Sequence, residues 1–339
     1  MPALRDGRAP PPAGARGAPA PQVLNARSLL FISEAEAHRL LDLDLLIDRL
    51  ADAFVALSGG RASVPARIAA RSADGLLGAM PGYLEGILET KLVSVFPHNH
   101  DRGLPSHQAL IALFDAADGS PLAVIDGTHI TAARTGAATA VSSRVLARPD
   151  ARVLAVLGAG VQGRSHLQAH LRIRDFAEIR IASRDPGHAR ALAAELGATA
   201  AASFEEAARG ADVVCFCTDA TAPFSEPAWF RPGAHVTSVG SSAGGPELDP
   251  GTIAAANVLV VEHRDAFKPY PGGAHELQGL DPAAAVELGE VISGSRAGRT
   301  SPEQLTVYKS MGHAVEDAVA ADLVYRAARA QGAGIEVAL

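Results

Sequence analysis

The stretch RVLAVLGAGVQGRSHLQAHL, residues 152–171, decides the fold of this chain. An apolar run leads into the glycine turn GAGVQG, residues 158–163, and a helical pattern leaves it. In a strand–turn–helix unit of this kind, the first glycine permits the tight turn, the second lets the backbone approach a pyrophosphate, and the third lets helix and strand pack closely. The N–H groups at the start of the helix then face the phosphates. The pattern predicts a Rossmann unit that binds a nicotinamide dinucleotide on Gly158, Ala159, Gly160, Val161, Gln162 and Gly163.

Two kinds of pattern flank this unit. After residue 150, apolar runs such as EIRIASR, DVVCFCT, HVTSVG and NVLVVE alternate with helical stretches, which is typical of a parallel, doubly wound sheet. Between residues 68 and 125, short apolar runs separated by turn residues predict a mostly antiparallel sheet, with a hairpin at Asp118-Gly119. We therefore expect an α/β protein with a Rossmann sheet and an α+β substrate and dimerisation domain.

The same patterns predict where the domains begin and end. Residues 1–27, rich in Pro, Ala, Gly and Arg, are expected to form a disordered tail. Residues 28–147 form the first domain and residues 148–302 the Rossmann domain. Residues 303–339 return as a C-terminal helix that completes the first domain.

Helix signals within the first domain are local. Ser33, with Glu36 three residues on, has the pattern of a capping box. Apolar residues then recur at helical spacing until Gly59-Gly60 ends the second helix; these are Leu45, Leu46, Leu50 and Phe54. A third helix is expected from about Thr128 to Leu146, and the chain is expected to be helical again from about Ser301 to Ala330.

Composition excludes several classes of function. A net charge of −7 and an aromatic content of 4% do not favour nucleic-acid binding. No apolar run approaches the length of a membrane span, and the N-terminal stretch lacks the apolar region of a secretory signal. Cys215 and Cys217 point to opposite faces of one strand and cannot easily pair, so we interpret them as small buried residues of a reduced, cytoplasmic protein.

The end of the second Rossmann strand bears on the choice of dinucleotide. An Asp or Glu that binds the ribose hydroxyls is usual there in NAD enzymes. Here Ser183 takes that place and Arg184 follows. A hydroxyl and a guanidinium suit a 2′-phosphate, so NADP(H) is favoured. Asp185 would leave NAD(H) open if its side chain turned inward.

Three cations in the first domain are candidates for chemistry. Arg67 and Arg134 could hold a carboxylate, and Lys91 could donate a proton. Lys91 stands out because it lies in an apolar strand, where an unpaired charge is costly. A lone Arg or Lys is usually solvated, so by itself each of the three is more simply interpreted as a surface charge.

Longer segments carry a family resemblance. They include TKLVSVFPHN, GLPSHQALIALFD, TAARTGAATAVSS, VLGAGVQGRSH, ADVVCFCT, RPGAHVTSVGSS, ELGEVISG and VYKSMGHAVEDAVAA. Together they span nearly all of residues 30–330, and the sequence resembles the ornithine cyclodeaminase and mu-crystallin family. The resemblance implies a homodimer. It also implies that Arg67 and Arg134 bind the substrate carboxylate and that Lys91 is the proton donor.

The same resemblance assigns further residues to the substrate and to the cofactor. Ser106 and His107 match positions near the nicotinamide and the substrate, with His107 assigned to the substrate. Ser310 matches a position near the nicotinamide end. The cofactor-binding set predicted beyond the glycine turn is therefore Ser106, Arg134, Thr135, Ser183, Arg184, Thr218 and Ser310.

Two departures from the family pattern bear on the reaction. Cyclodeaminases of the family carry an acid/base Asp after the fifth Rossmann strand, and Ser242 takes that place here. A serine hydroxyl needs activation to act as a base near neutral pH, so cyclodeamination is disfavoured. The segment PYPGGAHELQG, residues 269–279, also departs from the family's continuation. It leaves the substrate size open.

The sequence therefore predicts NAD(P)H-dependent reduction of a small imino acid, such as pyrroline- or piperideine-2-carboxylate, to the amino acid. Alternatives are ornithine cyclodeamination, an alanine-dehydrogenase-like reaction, and a non-catalytic protein that binds cofactor and a hydrophobic ligand. No metal site is expected, because His98, His100 and His107 lack the partners of a tetrahedral set. For His313 and Glu316 a capping or packing role is expected.

Overall fold

A computed structural model describes residues 28–240, 245–269 and 272–339. The predicted tail at residues 1–27 and the departure at Ser242 lie outside the described residues. Two sheets and the helices that cover them make up the described part of the chain.

The strands are β1 (Ser28–Ile32), β2 (Ala62–Ser63), β3 (Ile68–Arg71), β4 (Leu76–Leu84), β5 (Ile87–Val95), β6 (His107–Asp115), β7 (Pro121–Asp126), β8 (Val153–Leu157), β9 (Glu178–Ala182), β10 (Thr199–Ala200), β11 (Val213–Phe216), β12 (His235–Ser238), β13 (Val258–Val261), β14 (Ala285–Glu287), β15 (Thr306–Lys309) and β16 (Ile335–Ala338). The helices are α1 (Glu34–Leu40), α2 (Leu43–Ser58), α3 (Thr128–Leu146), α4 (Val161–Ile173), α5 (Pro186–Leu196), α6 (Phe204–Ala208), α7 (Pro250–Ala255), α8 (Leu288–Ile292) and α9 (Ala314–Gln331).

The first sheet has the order β16-β1-β7-β6-β5-β4-β2, with β3 also paired to β4. Its neighbours are antiparallel except β1 and β7. The hairpin predicted at Asp118-Gly119 joins β6 to β7, and Gly119 there has a φ of +76°. Helix α9 packs on β4 and β5, and α2 packs against α3 and α9. The mostly antiparallel sheet predicted for the first domain is thus confirmed.

The sequence patterns predicted the start of α1 and the end of α2 correctly. The capping box of Ser33 and Glu36 is present at the start of α1, and Gly59 ends α2. Leu46, Leu50 and Phe54 are buried as expected. Leu45 is exposed, because the buried stripe of α2 runs along its neighbours instead.

The second sheet is parallel throughout, in the order β10-β9-β8-β11-β12-β15-β13-β14. Strands β8, β11 and β12 are fully or almost fully buried, as expected for strands covered on both faces. The α/β fold with a doubly wound Rossmann sheet is confirmed. Cys215 and Cys217 are free and buried in and just after β11, where burial raises the pKa of the Cys215 thiol to about 12.

The C-terminal segment corrects one prediction. A helix from about Ser301 is wrong, because residues 306–309 form β15 and lie between β12 and β13 in the second sheet. The run TVYK has two β-branched residues and an aromatic one, which favour a strand. Only then does the chain return to the first sheet, as α9 and as β16 beside β1. Residues 303–339 therefore contribute to both sheets.

None of the helices in the described ranges is long and apolar enough to cross a membrane.

Candidate active site

The glycine turn joins β8 to α4 in a conformation that side chains would obstruct. Gly158 has a φ of +117°, and a Cβ there would collide with the carbonyl oxygen of Cys217. A Cβ on Gly163 would collide with the carbonyl oxygen of Gly158. These two glycines are required by the turn and by the approach of the helix to the strand.

Gly160 is different, because a Cβ placed on it would meet no atom of the described protein within 4 Å. Gly160 caps α4 without any side-chain hydrogen bond, and the next residue, Val161, is 70% exposed. The first N–H groups of α4 thus face open space at the positive end of a helix dipole. This cradle fits the pyrophosphate of a dinucleotide.

The edge next to β9 holds the residues predicted to select the cofactor. The side chain of Asp185 accepts a hydrogen bond from the N–H of Gly187 at 2.7 Å and caps α5. Arg184 is exposed, and its Nη2 lies 3.8 Å from Oδ1 of Asp219. One oxygen of the Asp185 carboxylate is therefore used by the helix start, and the guanidinium of Arg184 is accessible.

Two predicted cofactor residues use their hydroxyls inside the protein. Thr218, just after β11, donates both its N–H and its hydroxyl to Glu247, at 2.6 and 2.7 Å. Ser310 donates its hydroxyl to Glu262 at 2.6 Å. Both residues lie at the carboxyl edge of the second sheet, where Rossmann proteins bind the cofactor, but their side chains position the backbone.

A cluster of charged side chains lies between the inner face of the first sheet and α9. Nζ of Lys91 donates to Oδ1 of Asp317 at 2.9 Å, and its distance to Oδ2 is 2.8 Å. Nε of Arg134, on α3, donates to the same Oδ1 at 3.0 Å. Its Nη1 donates to Glu316 at 2.8 Å. We call Arg67, Lys91, Arg134, Glu316 and Asp317 the charged cluster.

Burial gives the charged cluster unusual acid–base properties. Lys91 is 1% exposed, and burial followed by the charge of Arg134 lowers its pKa to about 8. Burial opposes the charge of Arg134 as well, but Asp317 and Glu316 outweigh it and raise its pKa. For Asp317 the neighbouring Arg134 and Lys91 outweigh burial and lower its pKa. Burial raises the pKa of Glu316 to about 8, so Lys91 and Glu316 are the two members of the cluster that can exchange a proton near neutral pH.

Arg67 approaches the cluster from the segment before β3. Its Nη2 donates to the carbonyl oxygens of Met311 and Gly312, at 2.9 and 3.0 Å. A Cβ on Gly312 would collide with Nη1 of Arg134, so the guanidinium groups of Arg67 and Arg134 both lie against this segment. A pocket opens beside Arg67; its lining includes Val64, Met80, Asp265, His313 and Ala314.

His107 begins β6, and Ser106 lies beside it. The register of β5 and β6 places His107 on the same face of the sheet as Lys91. Partial desolvation, followed by the charge of Lys91, lowers the pKa of His107, so the ring is neutral near pH 7. Oγ of Ser106 lies 3.2 Å from Nδ1 of this ring. Thr135 instead donates its hydroxyl to the carbonyl oxygen of Thr131 within α3.

Sequence reasoning missed three carboxyl residues of this site. Asp317 stands in a segment that carried the family resemblance, and Glu262 ends the apolar run NVLVVE, but neither was assigned to the site and Lys91 was given no carboxylate partner. The third, Glu89, lies on β5 two residues before Lys91 and faces the same side. The alternation of Glu89 and Lys91 in the apolar strand ETKLV was the available signal.

Glu89 is buried without a partner. It is 2% exposed, and neither of its oxygens has a hydrogen bond among the described residues. Its carboxyl group lies opposite Gly82, where a Cβ would come within 3.1 Å of Oε1. Burial, followed by the charge of Asp317, raises its pKa to about 9, so Glu89 holds a proton at neutral pH.

The capping role expected for His313 and Glu316 is confirmed. Glu316 accepts from the backbone N–H of His313 at the start of α9, and its second oxygen accepts from Arg134. Within the described ranges, no group of three or more His, Cys, Asp or Glu residues could hold a metal ion.

Comparison with known proteins assigns the family. The sequence model of the ornithine cyclodeaminase/mu-crystallin family matches residues 27–332. The chain belongs to the ornithine cyclodeaminase/mu-crystallin family. The resemblance found in the sequence is thereby confirmed.

Three proteins of known name are similar to this chain. The chain is 43% identical to ketimine reductase mu-crystallin of Mus musculus, over 74% of this chain and 80% of the relative. It is 34% identical to Delta(1)-pyrroline-2-carboxylate reductase of Bacillus cereus, over 91% of this chain and 99% of the relative. The structure of Thermococcus litoralis Delta(1)-pyrroline-2-carboxylate reductase with NADH and L-proline superposes with a TM-score of 0.85 at 33% identity, over 91% of this chain and 100% of that one.

Proposed function

We propose that this protein reduces a small imino acid to the corresponding amino acid with NAD(P)H, acting on a cyclic ketimine such as pyrroline- or piperideine-2-carboxylate. The observation that carries the proposal is the buried Lys91, paired with an Asp317 carboxylate that also accepts from Arg134, on the face that Arg67 also approaches. Reduction of a C=N bond needs a hydride at carbon and a proton at nitrogen. The relatives named above include reductases of this kind.

Lys91 is the proton donor in this proposal. Its pKa of about 8 makes the ammonium group abundant at neutral pH and yet ready to release a proton. Asp317 fixes the direction of the Nζ group from behind and remains ionised. The bound dinucleotide would supply the hydride, and its phosphates would lie on the N-terminus of α4.

Arg67 and Arg134 hold the substrate carboxylate. Both hydrogen bonds of Arg67 to carbonyl oxygens use Nη2. Its Nε and Nη1 have no hydrogen bond among the described residues and are available to a substrate carboxylate. Arg134 uses Nε and Nη1 for Asp317 and Glu316. A carboxylate held by these guanidinium groups would place the adjacent C=N bond near Lys91. His107, neutral and on the same face, would contact the substrate from β6.

The cofactor is proposed to be NADP(H) rather than NAD(H). Oδ1 of Asp185 caps the start of α5, which disfavours the ribose-binding role that would favour NAD(H). The accessible Arg184 beside Ser183 suits a 2′-phosphate.

A homodimer is proposed because the outer face of the first sheet is apolar. Large apolar side chains are exposed on that face; they are Phe31, Leu77, Leu92, Leu110, Ile335 and Val337. The strand registers place them on one side, opposite the face covered by α9. A patch of this kind on a sheet that is covered on one face only is typical of a subunit interface. A cytoplasmic location is proposed on the two free cysteines.

The experiment is a substrate panel. The purified chain is mixed with NADPH and, separately, NADH, and the cofactor absorbance is followed while cyclic and linear imino acids are offered. We expect turnover with a cyclic imino acid and a fall of kcat by about 10²-fold or more in Lys91→Ala. Full turnover by Lys91→Ala would contradict the role of Lys91. Ammonia release from ornithine without net cofactor change would instead support cyclodeamination.

A further inference from the structure

Glu262 links the second sheet to the charged cluster. It directly follows β13 and is 2% exposed. Its Oε1 accepts from the hydroxyl of Ser310 at 2.6 Å and from the N–H of Gly312 at 2.9 Å. The N–H of Met311 lies 3.0 and 2.9 Å from its two oxygens. One carboxylate thus holds three consecutive residues of the segment that connects β15 to α9.

The same segment holds Arg67 on its other side. The carbonyl oxygens of Met311 and Gly312 both accept from Nη2 of Arg67. The N–H groups of these two residues point to Glu262, and their carbonyl oxygens point to the guanidinium. The peptide group between Met311 and Gly312 makes both contacts, with its N–H to Glu262 and its carbonyl oxygen to Arg67, so Glu262 sets its orientation and thereby that of Arg67.

Arg67 and Arg134, which hold the substrate carboxylate in the proposed function, are called the clamp. We infer that Glu262 is the positioning residue of this clamp, because it fixes residues 310–312, with which Arg67 forms its hydrogen bonds. This inference depends on the proposed function, since it assigns the clamp to an imino acid carboxylate. Glu262 itself does not contact the substrate.

The position of Glu262 gives the clamp a connection between the two sheets. Arg67 lies just before β3 of the first sheet, and Glu262 lies just after β13 of the sheet that carries the glycine turn. Gly312, between them, also packs against Arg134, and a side chain there would displace that guanidinium. The geometry of the clamp therefore depends on the relative placement of the two sheets.

The matched control is Glu287, which ends the neighbouring parallel strand β14. It is also buried and holds its own neighbour, accepting from the backbone N–H and the guanidinium of Arg264. No hydrogen bond joins Glu287 to residues 310–312 in the part of the chain that the structure describes. Glu287→Gln therefore repeats the chemical change one strand away.

The test compares steady-state kinetics of the full chain and Glu262→Gln with a cyclic imino acid and NAD(P)H. Glutamine keeps only one acceptor oxygen for the donors of Ser310, Met311 and Gly312, and its amide nitrogen cannot accept from Met311 as the second carboxylate oxygen does. The segment therefore shifts, and Arg67 shifts with it. We expect KM for the imino acid to rise about tenfold, and kcat to change less than about threefold because Lys91 and Asp317 are untouched. Glu287→Gln is expected to leave both constants unchanged.

A double-mutant cycle with Arg67→Ala separates positioning from a general structural effect. If Glu262 acts through Arg67, Glu262→Gln adds nothing to the KM of Arg67→Ala. Additive effects, or an unchanged KM in Glu262→Gln alone, would overturn the inference and leave the proposed function intact. A wild-type chain that turns over no imino acid would overturn both.

Discussion

The glycine turn at residues 158–163 uses backbone atoms supplied by one short segment, whereas the charged cluster uses side chains from distant segments. Lys91 comes from β5, Arg134 from α3 and Asp317 from α9. In the turn, the absence of side chains creates the site. In the cluster, Lys91, Arg134, Glu316 and Asp317 are placed by opposite charges, and Arg67 is placed by backbone carbonyl oxygens.

This difference has a physical consequence for how each site tolerates change. A turn built from backbone geometry fails when atoms are added to it. A buried cluster of charges fails when one partner is removed, because the other charge stays buried without compensation. The following substitutions test the two behaviours, beginning with the largest expected effect.

Asp317→Asn should have the largest effect, because Asp317 is the shared partner of Lys91 and Arg134. Its loss leaves two buried cations with one carboxylate fewer, and the free energy of unfolding should fall by about 3 kcal/mol. Asp317 also raises the pKa of Lys91, so in the variant this pKa falls below about 8. Since a proton donor must be protonated, the alkaline loss of activity should move to lower pH. Chemical denaturation and a pH–rate profile measure both effects.

The control for Asp317→Asn lies on the same helix. Asp322→Asn removes a carboxylate that pairs with Arg326 nearer the surface, and it should change the unfolding free energy by less than about 1 kcal/mol. If both substitutions lowered the free energy of unfolding equally, Asp317 would contribute no more to stability than a surface ion pair does.

The contrast also explains how much the sequence could predict. The glycine turn, its strand and its helix are adjacent in sequence, so their pattern identified them completely. Lys91 and Arg134 were found as isolated cations. Their partner Asp317 was missed, because it lies 226 residues from Lys91 and only the fold brings the two together. Strand β15 was missed for a related reason, since four residues between helix-like stretches give a weak local signal.

Gly163→Ala should lower stability, whereas Gly160→Ala should weaken cofactor binding. A Cβ on Gly163 meets the carbonyl oxygen of Gly158, so the helix must shift, and the free energy of unfolding should fall by about 2 kcal/mol. A Cβ on Gly160 meets nothing in the protein, so stability should hold while the Kd of NAD(P)H rises about tenfold. Thermal unfolding without cofactor and titration of cofactor fluorescence measure the two quantities. If Gly160→Ala bound cofactor as tightly as the wild type, the assignment of the pyrophosphate to the N-terminus of α4 at Gly160 would be wrong.

Arg184→Ala should change the choice of cofactor and little else. Its exposed guanidinium is proposed to pair with the 2′-phosphate, so the preference for NADPH over NADH should fall about tenfold. Arg172→Ala, an exposed arginine at the other end of α4, is the control and should keep the preference. A wild-type preference for NADH would contradict the role given to Arg184.

Glu89→Gln should have the smallest effect at low pH and a growing one as pH rises. The folded-state pKa of Glu89, about 9, lies above its ordinary value of 4.5, so between these values the folded chain keeps a proton that the unfolded chain releases. The wild type therefore loses stability as pH rises through that window, and glutamine removes the loss. The variant should gain at least about 1 kcal/mol over the wild type between pH 5 and pH 8, as measured by denaturation at both pH values. A constant difference would mean that Glu89 is ionised in the folded chain, as a buried carboxylate close to Asp317 and without a hydrogen bond among the described residues.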